Sequence, residues 1–524
     1  MLLRRKVCQG SVRKLLVVML AFVLCLPLMW VPAPAEASAP DGVYAFGSHG
    51  RGQLGHGDRI DPIGFYRNPN RIEGLGNVKD VAAGDHHSLV LLHNGDVYSF
   101  GEDYGHGKLG QGEMEDRYMK TPTRIEGIGR AKAIGAGRNN SFIILENGDL
   151  YSFGRNSLGA LGVGDYDNRL VPTRVEGISN AVKVDAGEAH TLILLENGDV
   201  YGMGCHMNGK LGIGGPMSLV GQHHETPVKV PLSSPAKDIA AGSIHSLVLL
   251  ENGDVYSFGN GLRGQLGHPE RKNVDSPTKI EGLGPARAVA AGSDYSMVLL
   301  ENGDLYAFGY NSYGQLGLGD RENRNQPTKV EALSGVSMIA CGYRHTLVVL
   351  ENGDLYTFGQ GASGKLGHGN EQTQTTPTLV ETLVGNNVLT AAGGFHHSLV
   401  LVGTPPITIE IDGQLLRTDV PPIILEGRTM VPLRAIFEAL DITVEYDAAT
   451  RTIIGTTDDL SIQLTIDSTL ATVNGEEVTL DVPATVIDGR TMVPVRFIAE
   501  STGATVEWEA RTRTVIINTV SPDS

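Results

Sequence analysis

Histidines recur in this chain at matched positions, and histidine is the side chain best suited to bind a metal or transfer a proton near neutral pH. Five apolar runs begin with a histidine: His87, His190, His245, His345 and His397. Asn140 and Tyr295 take that place in two further runs. A metal needs its ligands around one point. Residues spread over a repeating array cannot converge on one ion, so we interpret these histidines as structural ties between strands.

Carboxylates recur as well, each at the end of an Asn-Gly-Asp triplet. They are Asp96, Asp149, Asp199, Asp254, Asp304 and Asp354. Asn-Gly is the strongest short-range signal for a tight β-hairpin, because the turn needs positive φ at both residues. Catalytic carboxylates are expected to be local and singular. We therefore interpret these aspartates as turn residues.

One irregular segment offers two further chemistries. Gly204 to Lys210 mimics a phosphate-binding loop, but Leu211 stands where Ser or Thr would hold magnesium, and no helix is predicted to follow. Nearby are His206, His223, His224 and Glu225. Their spacing fits no structural zinc pattern, so a solvated loop is the simpler interpretation and a transition-metal site is the alternative. We predict no metal and no cofactor.

These residues belong to a repeat that occurs seven times. It is marked by the glycines Gly47, Gly101, Gly154, Gly204, Gly259, Gly309 and Gly359, spaced 50 to 55 residues apart. Such a period indicates an array or a propeller. Each copy reads as two strands, an Asn-Gly turn, a third strand, a glycine-rich loop and a proline-containing outer strand. A tyrosine two residues before each Phe-Gly or Met-Gly is expected to be buried between neighbouring units.

The two ends of the array complement each other. The first copy begins at Asp41 to Tyr44 and lacks the two preceding strands, whereas Gly394 to Val402 supplies those two strands and nothing after them. Together they make one unit. We therefore predict a mainly β chain with a closed seven-bladed β-propeller over residues 41–402, its last blade shared by both ends, because closure removes exposed sheet edges.

The combined motif resembles the regulator of chromosome condensation repeat family. It consists of Asn-Gly-Asp-x-Tyr-x-Phe-Gly, then Gly-[Gln/Lys/Ala]-Leu-Gly, then Ala-Gly-x-x-His-Ser. The resemblance covers residues 41–402 and implies a seven-bladed propeller. It also implies two alternative functions: guanine nucleotide exchange on a small GTPase, and inhibition of an enzyme, since some secreted bacterial propellers of the family look like β-lactamase inhibitors.

A second domain follows the hinge at residues 403–406. Gly427 to Arg434 returns as Gly489 to Arg496, and a short helix with an apolar stripe is predicted after each copy. This duplicated α+β region resembles the copper amine oxidase N-terminal-like domain over residues 407–518, which implies a non-catalytic stalk. Residues 403–524 contain no His or Cys to bind copper. Arg434 and Arg496 are expected to form ion pairs; contact with a partner carboxylate is the alternative.

The first 37 residues are typical of a secretory signal. A basic start precedes an apolar run from Leu15 to Leu26, and Ala35-Glu36-Ala37 fits a cleavage site. An uncleaved anchor is the alternative. The net charge of −17 argues against nucleic acid, because phosphates would repel the chain. Cys205 and Cys341 occupy unrelated repeat positions, so we expect no disulfide between them.

Residues that differ between copies are the better candidates for function. After each blade glycine comes a short loop, and equivalent loops in a ring emerge on one face. The candidate ligand contacts are Arg51, Tyr104, Arg155, His206, Met207, Tyr310 and Tyr313. We predict a non-enzymatic bacterial protein, secreted or held at the cell envelope, whose loops bind a protein or a cell-wall polysaccharide.

Overall fold

The computed structural model describes residues 41–58, 64–215, 223–403, 407–416, 418, 420–487, 489–509 and 513–519. The predicted signal at residues 1–37 and residues 404–406 of the predicted hinge lie outside this part of the chain. Strands account for 49% of the structure, together with two short α-helices. The prediction of a mainly β chain is confirmed.

Six blades are continuous in the chain, and each is a four-stranded antiparallel sheet. From the inner to the outer strand, blade 1 comprises Val78–Ala83, His87–Leu92, Val97–Glu102 and Tyr118–Arg124; blade 2 Ala131–Ala136, Asn140–Leu145, Leu150–Gly154 and Arg169–Arg174; and blade 3 Ala181–Ala186, His190–Leu195, Val200–Cys205 and His223–Lys229. Blade 4 comprises Ala236–Ala241, His245–Leu250, Val255–Gly259 and Val274–Lys279; blade 5 Ala286–Ala291, Tyr295–Leu300, Leu305–Gly309 and Arg324–Lys329; and blade 6 Val336–Cys341, His345–Leu350, Leu355–Gly359 and Gln374–Leu379. Short 3-10 turns occur at Met207–Gly209, Ala362–Gly364 and Glu381–Leu383.

Blade 7 is built from both ends of the propeller sequence. Its strands, from inner to outer, are Val388–Gly393, His397–Val402, Gly42–Ser48 and Phe65–Arg71. Val43 pairs with Leu401 and Phe46 with Ser398 in an antiparallel register. The predicted composite blade and the count of seven blades are therefore confirmed.

A ring of backbone hydrogen bonds joins all seven blades around the central channel. Each bond runs from one inner hairpin to the next, with N···O distances of 3.1–3.4 Å. The bonds are Asp85 N to Arg138 O, Arg138 N to Gly187 O, Glu188 N to Ser243 O, Ser243 N to Ser293 O, Ser293 N to Tyr343 O, Tyr343 N to Gly394 O, and Phe395 N to Gly84 O. The last bond returns to blade 1, so the ring is closed by the main chain as well as by side-chain packing.

The cores lie between neighbouring blades, and the aromatic residue that fills them differs from the sequence expectation. The Phe or Met two residues after each tyrosine is fully buried: Phe46, Phe100, Phe153, Met203, Phe258, Phe308 and Phe358. Tyr44 is buried, but the tyrosines of blades 1 to 6 are only half-buried. The Phe and Met side chains therefore contribute more of the apolar burial than the tyrosines.

The described part of the C-terminal domain forms three small sheets and two helices. One sheet holds Gln414–Leu415, Thr408–Ile411, Thr514–Asn518 and Thr505–Glu509; another holds Ile423–Leu425, Arg428–Pro432, Arg490–Pro494 and Thr485–Ile487; the third runs in order through Thr443–Asp447, Thr452–Thr456, Ser461–Thr465, Leu470–Val473 and Glu476–Thr479. The helices are Leu433–Ala439 and Val495–Ser501. The duplication is visible in the fold, because each half contributes a hairpin that leads directly into a helix.

The two helices bury the predicted apolar stripe. Ile436 and Phe437 are fully buried, and Ile498 occupies the matching place in the second helix. Pro432 and Pro494 lie at the N-caps, one residue before the respective helices begin. Arg434 and Arg496 form exposed ion pairs with a glutamate four residues later, which confirms the structural interpretation of these arginines.

Candidate functional site

Two sets of loops emerge on the same face of the propeller, which we call the loop face. The inner set connects the first and second strands of each blade, and the outer set follows the blade glycine at the end of the third strand. Backbone hydrogen bonds join the two sets, as from Glu102 N to His86 O and from Tyr310 N to Asp294 O. The Asn-Gly-Asp hairpins lie at the opposite ends of the same strands.

The variable residues of the loop face lie on a rigid base of repeated side chains. In five blades the histidine Nε2 lies 2.8–3.0 Å from a serine Oγ of the next blade. Each of these serines donates its own hydrogen to a loop carbonyl, as Ser296 does to the Gln265 O at 2.8 Å. The serine must therefore accept from the histidine, which fixes Nε2 as the protonated nitrogen. The structural interpretation of these histidines is confirmed.

The glycine of the Ala-Gly-x-x-His-Ser motif makes room for that histidine ring. A Cβ at Gly242 would lie 2.3 Å from the His245 Cε1, and one at Gly342 would lie 2.2 Å from the His345 Cε1. Burial lowers the pKa of His245 to about 3. The ring is therefore neutral at physiological pH and serves as a hydrogen-bonding strut between blades.

The repeated aspartates are turn residues, as predicted. The Asp254 backbone N donates a hydrogen bond to the Asn252 Oδ1 at 3.0 Å, and the Asp254 carboxylate lies 2.8 Å from the Lys279 Nζ on the outer strand. The same pairing with an outer-strand Arg or Lys recurs at Asp96, Asp149, Asp199 and Asp304. These carboxylates brace the hairpin end of each blade.

The loop slot before Leu-Gly is filled by glutamine or lysine in six of the seven copies, and the two types act differently. Gln53, Gln265 and Gln315 each accept a hydrogen bond from the backbone N two residues earlier. Lys365 instead donates from its buried Nζ to the Gln360 Oε1 at 2.8 Å and the Phe395 O at 3.1 Å. Burial, with Arg344 nearby, lowers the pKa of Lys365 to about 7.

The predicted contact residues of blades 7, 1 and 2 occupy one half of the loop face, where cations are mostly paired with carboxylates. Arg51 makes two 2.7 Å hydrogen bonds to the buried Glu102 and lies 5.7 Å from the Tyr104 ring. Tyr104 is 46% exposed. Arg155 is also exposed and lines a small cavity beside Arg138.

The predicted contacts in the blade 3 loop differ from each other. Met207 is 43% exposed in its 3-10 turn, whereas the ring of His206 is buried and its Nε2 donates to the Gly214 O at 3.2 Å. His206 therefore holds the loop and does not offer its ring to a ligand. The rings of His206 and His224 lie 6.3 Å apart. In the part of the chain that the structure describes, no cluster of three His, Cys, Asp or Glu residues could hold a metal ion.

Tyr310 and Tyr313 belong to a continuous chain of aromatic and arginine contacts across blades 4 to 7, which we call the aromatic–arginine arc. Its residues are Arg263, Tyr310, Tyr313, Arg344, Tyr343 and Phe395. The Arg263 Cζ lies 4.4 Å from the Tyr310 ring centre, and the Arg344 Cζ lies 4.7 Å from that of Tyr313. Such cation–π contacts hold the guanidinium groups in place.

The inner loops supply half of this arc, and sequence reasoning missed them. Arg344 donates from its Nη1 to the Tyr313 Oη at 3.0 Å, and Tyr343 stacks on Phe395 with ring centres 3.9 Å apart. These residues are the variable pair between the constant Gly and His of the Ala-Gly-x-x-His-Ser motif. The difference between copies at those two positions was the available signal.

The inner loops also surround the mouth of the central channel, a cavity of about 320 Å³. At this mouth Arg138 bridges Asp85, at 2.8 Å, and Glu188. Burial raises the pKa of Asp85 to about 6, against the opposing effect of Arg138. Cys341 lines the channel, and Cys341 and Cys205 are both free thiols, as expected. Among the described residues, no helix is long and apolar enough to cross a bilayer.

Comparisons with known proteins agree with both resemblances. A family model described as RCC1-like domain matches residues 37–289 and 182–404, and one described as copper amine oxidase N-terminal domain matches residues 410–517. The "Protein RCC2 homolog" of Danio rerio is 31% identical over 236 residues, 44% of this chain and 40% of that protein. The "Guanine nucleotide exchange factor SRM1" of Saccharomyces cerevisiae is 29% identical over 139 residues, 24% of this chain and 29% of that protein. The matched regions thus span less than half of either relative.

A solved structure shows the same fold. Yeast RCC1 (Prp20), in a complex with Kap60, superposes with a TM-score of 0.63 at 22% identity, covering 70% of this chain and 90% of that chain. The covered share matches the propeller region in size.

Proposed function

The chain belongs to the RCC1-like domain family, and from this premise we propose that it is a secreted, non-enzymatic protein that binds a protein partner on its loop face. RCC1-like propellers bind proteins. Secretion is proposed on the basic, apolar and small-residue pattern of residues 1–37. The C-terminal domain, by its resemblance to a non-catalytic region, is proposed to act as a spacer or surface-association module at a bacterial cell envelope.

A single observation supports this function most strongly. The loops at one face of a rigid ring differ from blade to blade, whereas the framework residues repeat. The positions that stay constant between blades are buried or turn-forming, as His245, Phe258 and Asp254 illustrate. The positions that vary form the two sets of loops on the loop face. A rigid scaffold with variable, aromatic-rich loops is suited to recognise a protein surface at small entropic cost.

The test is capture of partners from envelope and culture-medium fractions by the full chain and by a loop-face variant. Alanine at Tyr104, Arg155, Tyr310 and Tyr313 should weaken binding by several kcal/mol, because tyrosine and arginine dominate binding hot spots. The matched control carries alanine at the outer-strand residues that pair with the hairpin aspartates, away from the loop face: Arg124, Arg174, Lys229 and Lys279. Equal capture by wild type and loop-face variant would remove the loop face from consideration.

Nucleotide exchange on a small GTPase is a second candidate, favoured by the similarity to the yeast exchange factor. The two functions require different locations, because a secreted chain does not meet a cytoplasmic or nuclear GTPase. Two measurements discriminate between these functions: the sequence of the mature N-terminus, and whether the protein is recovered from inside or outside the cell. Cleavage near Ala37 and recovery outside the cell would contradict the exchange function. Enzyme inhibition, including inhibition of a β-lactamase, would be one form of the protein binding proposed above.

A further inference from the structure

The aromatic–arginine arc places two guanidinium groups without ion pairs on one continuous run of aromatic rings. Several other cations of the inner and outer loops meet carboxylates, as Arg51 meets Glu102 and Arg138 meets Asp85. Within the arc, the guanidinium groups of Arg263 and Arg344 make no ion pair with any residue that the structure describes. Their contacts are aromatic faces and one phenol oxygen, which leave most of their donors free.

A further basic group, the amine of Lys365, lies beneath the arc. The side chain of Lys365 is fully buried, and its two acceptors are neutral oxygens of Gln360 and Phe395. The pKa of Lys365 is lowered to about 7, so the amine is only partly protonated near neutral pH. In its protonated form it adds to the potential above it, because a buried charge is screened less than an exposed one. The inner loop of blade 5 carries the carboxylate of Asp294, which accepts a hydrogen bond from the Ser293 hydroxyl at 3.0 Å.

Two stacked histidines lie at the end of the arc, and each has one ring nitrogen without a hydrogen-bond partner among the described residues. The rings of His396 and His86 stack with centres 5.9 Å apart, and His396 contacts Phe395 at 4.3 Å. The Nδ1 of each ring is buried and lacks a partner among the described residues. Burial, with the nearby cations, lowers the pKa of His86 to about 3 and that of His396 to about 4, so both rings are neutral at physiological pH.

We propose that the aromatic–arginine arc is the contact surface for an acidic segment of the partner protein. Carboxylates of that segment pair with Arg263 and Arg344, whose guanidinium groups suit bidentate recognition of a carboxylate. The apolar parts of the segment lie on the rings of Tyr343 and Phe395. This inference rests on the proposed function and names the chemistry of its partner.

Charge complementarity on two length scales selects a short acidic segment over a nucleic acid. The chain as a whole carries a net charge of −17, which repels a long polyanion. Salt screens this repulsion beyond about 10 Å, so a segment that touches only the arc experiences the local positive potential. Binding of a nucleic acid to the arc is therefore the alternative that the test must exclude.

The experiment measures fluorescence anisotropy of labelled peptides with the full-length protein. The probes are a fluorescein-labelled peptide of alternating Glu and Phe, its Lys and Phe counterpart, and a labelled oligo-dT of the same length. The expected result is binding of the acidic peptide alone, weakened by added salt. The R263Q/R344Q variant should lose at least about tenfold in affinity, and R263K/R344K should recover part of it.

The matched control is R117Q/R271Q, which removes two arginines from the outer loops of the same face but outside the arc. Arg117 and Arg271 are exposed and, like the arc arginines, have no ion pair among the described residues. This control should retain wild-type affinity, and all variants should keep the wild-type melting temperature. Equal loss in the control, equal binding of the basic peptide, preference for oligo-dT, or no binding of the acidic peptide would each overturn the inference.

Failure of this inference is distinguishable from failure of the proposed function. If the loop-face alanine variant loses its captured partner while the acidic peptide does not bind, the function stands and the acidic chemistry is wrong. If wild type and that variant capture the same proteins equally well, the loop face itself is wrong as the binding site, whatever the peptide does.

Discussion

At the residue scale, the buried amine of Lys365 is the least expected group in the propeller. Gln53, Gln265 and Gln315 fill the same slot with a neutral amide that caps its own loop. Lys365 places an ammonium where its partners are neutral oxygens, which penalises its charged form. In its protonated form the amine adds positive potential below the arc, at some cost in stability.

That cost predicts an unusual pH dependence. The pKa of Lys365 is lowered to about 7 in the folded protein, from 10.5. Between these values the unfolded chain binds a proton that the folded chain has lost, so the free energy of unfolding rises with pH. The contribution is at most about 1.4 kcal/mol per pH unit. Urea titrations at pH 6, 7.5 and 9 measure this effect. The free energy of unfolding should rise with pH more steeply in the wild type than in Lys365→Met, which lacks the titrating amine.

The exposed Lys272 supplies the control for this measurement. Its side chain is 67% exposed, so Lys272→Met should keep the pH profile of the wild type. Parallel profiles for wild type and Lys365→Met would show that the buried amine does not titrate in this range.

At the scale of the element, the inner hairpin is the part of each blade that tolerates least change. Its glycine is required by space rather than by dihedral angle. A Cβ at Gly242 would meet the His245 ring at 2.3 Å and the Gly292 O of the next blade at 2.6 Å. The same turn therefore holds the histidine strut and joins neighbouring blades.

Gly242→Ala should consequently destabilise the propeller by about 2 kcal/mol or more, because a buried ring and a backbone carbonyl must both move. Gly76→Ala is the matched control, since a Cβ there meets no atom within 4 Å. Chemical denaturation of both variants measures the difference. Similar unfolding midpoints for the two variants would contradict the packing argument.

At the scale of the whole molecule, stability depends on the composite blade. Phe46 enters from the N-terminal strand and packs in one cluster with Leu347 and Val349 of blade 6 and with Val400 of the C-terminal strand. The main-chain ring passes through the same blade, from Tyr343 to the hairpin that begins at Gly394. Because the blades are linked in a closed circle, loss of this blade exposes an edge on each of its neighbours.

Phe46→Ala should lower the free energy of unfolding by about 3–5 kcal/mol, the usual cost of truncating a buried phenylalanine. All seven blades should still unfold in one transition. Leu262→Ala, at a site 59% exposed on the loop face, is the control and should change stability by less than about 0.5 kcal/mol. Hydrogen exchange that detects release of Gly42–Ser48 while blades 1 to 6 stay protected would contradict a ring that closes cooperatively.

Local rules in the sequence alone determined the number of blades, the hairpins and the shared blade. An Asn-Gly turn and an alternating strand depend on neighbouring residues, so they can be read from one copy and repeated seven times. The segments Asp41 to Tyr44 and Gly394 to Val402 then complete one blade between them. A closed ring follows, because closure removes exposed sheet edges. The structural roles of the histidines and aspartates followed because symmetric positions cannot share one site.

The tertiary structure alone decided which residues meet. Each blade is covered on both faces, so alternation could not reveal that Phe100 fills the core while Tyr98 is only half-buried. Tyr313 and Arg344 come from different blades, and the sequence carries no signal for a contact between positions that only the ring brings together. The burial of Lys365 is likewise decided by its neighbours in space. The equivalent Gln53, Lys108 and Gln315 are also buried, although their polar side chains alone would favour an exposed loop.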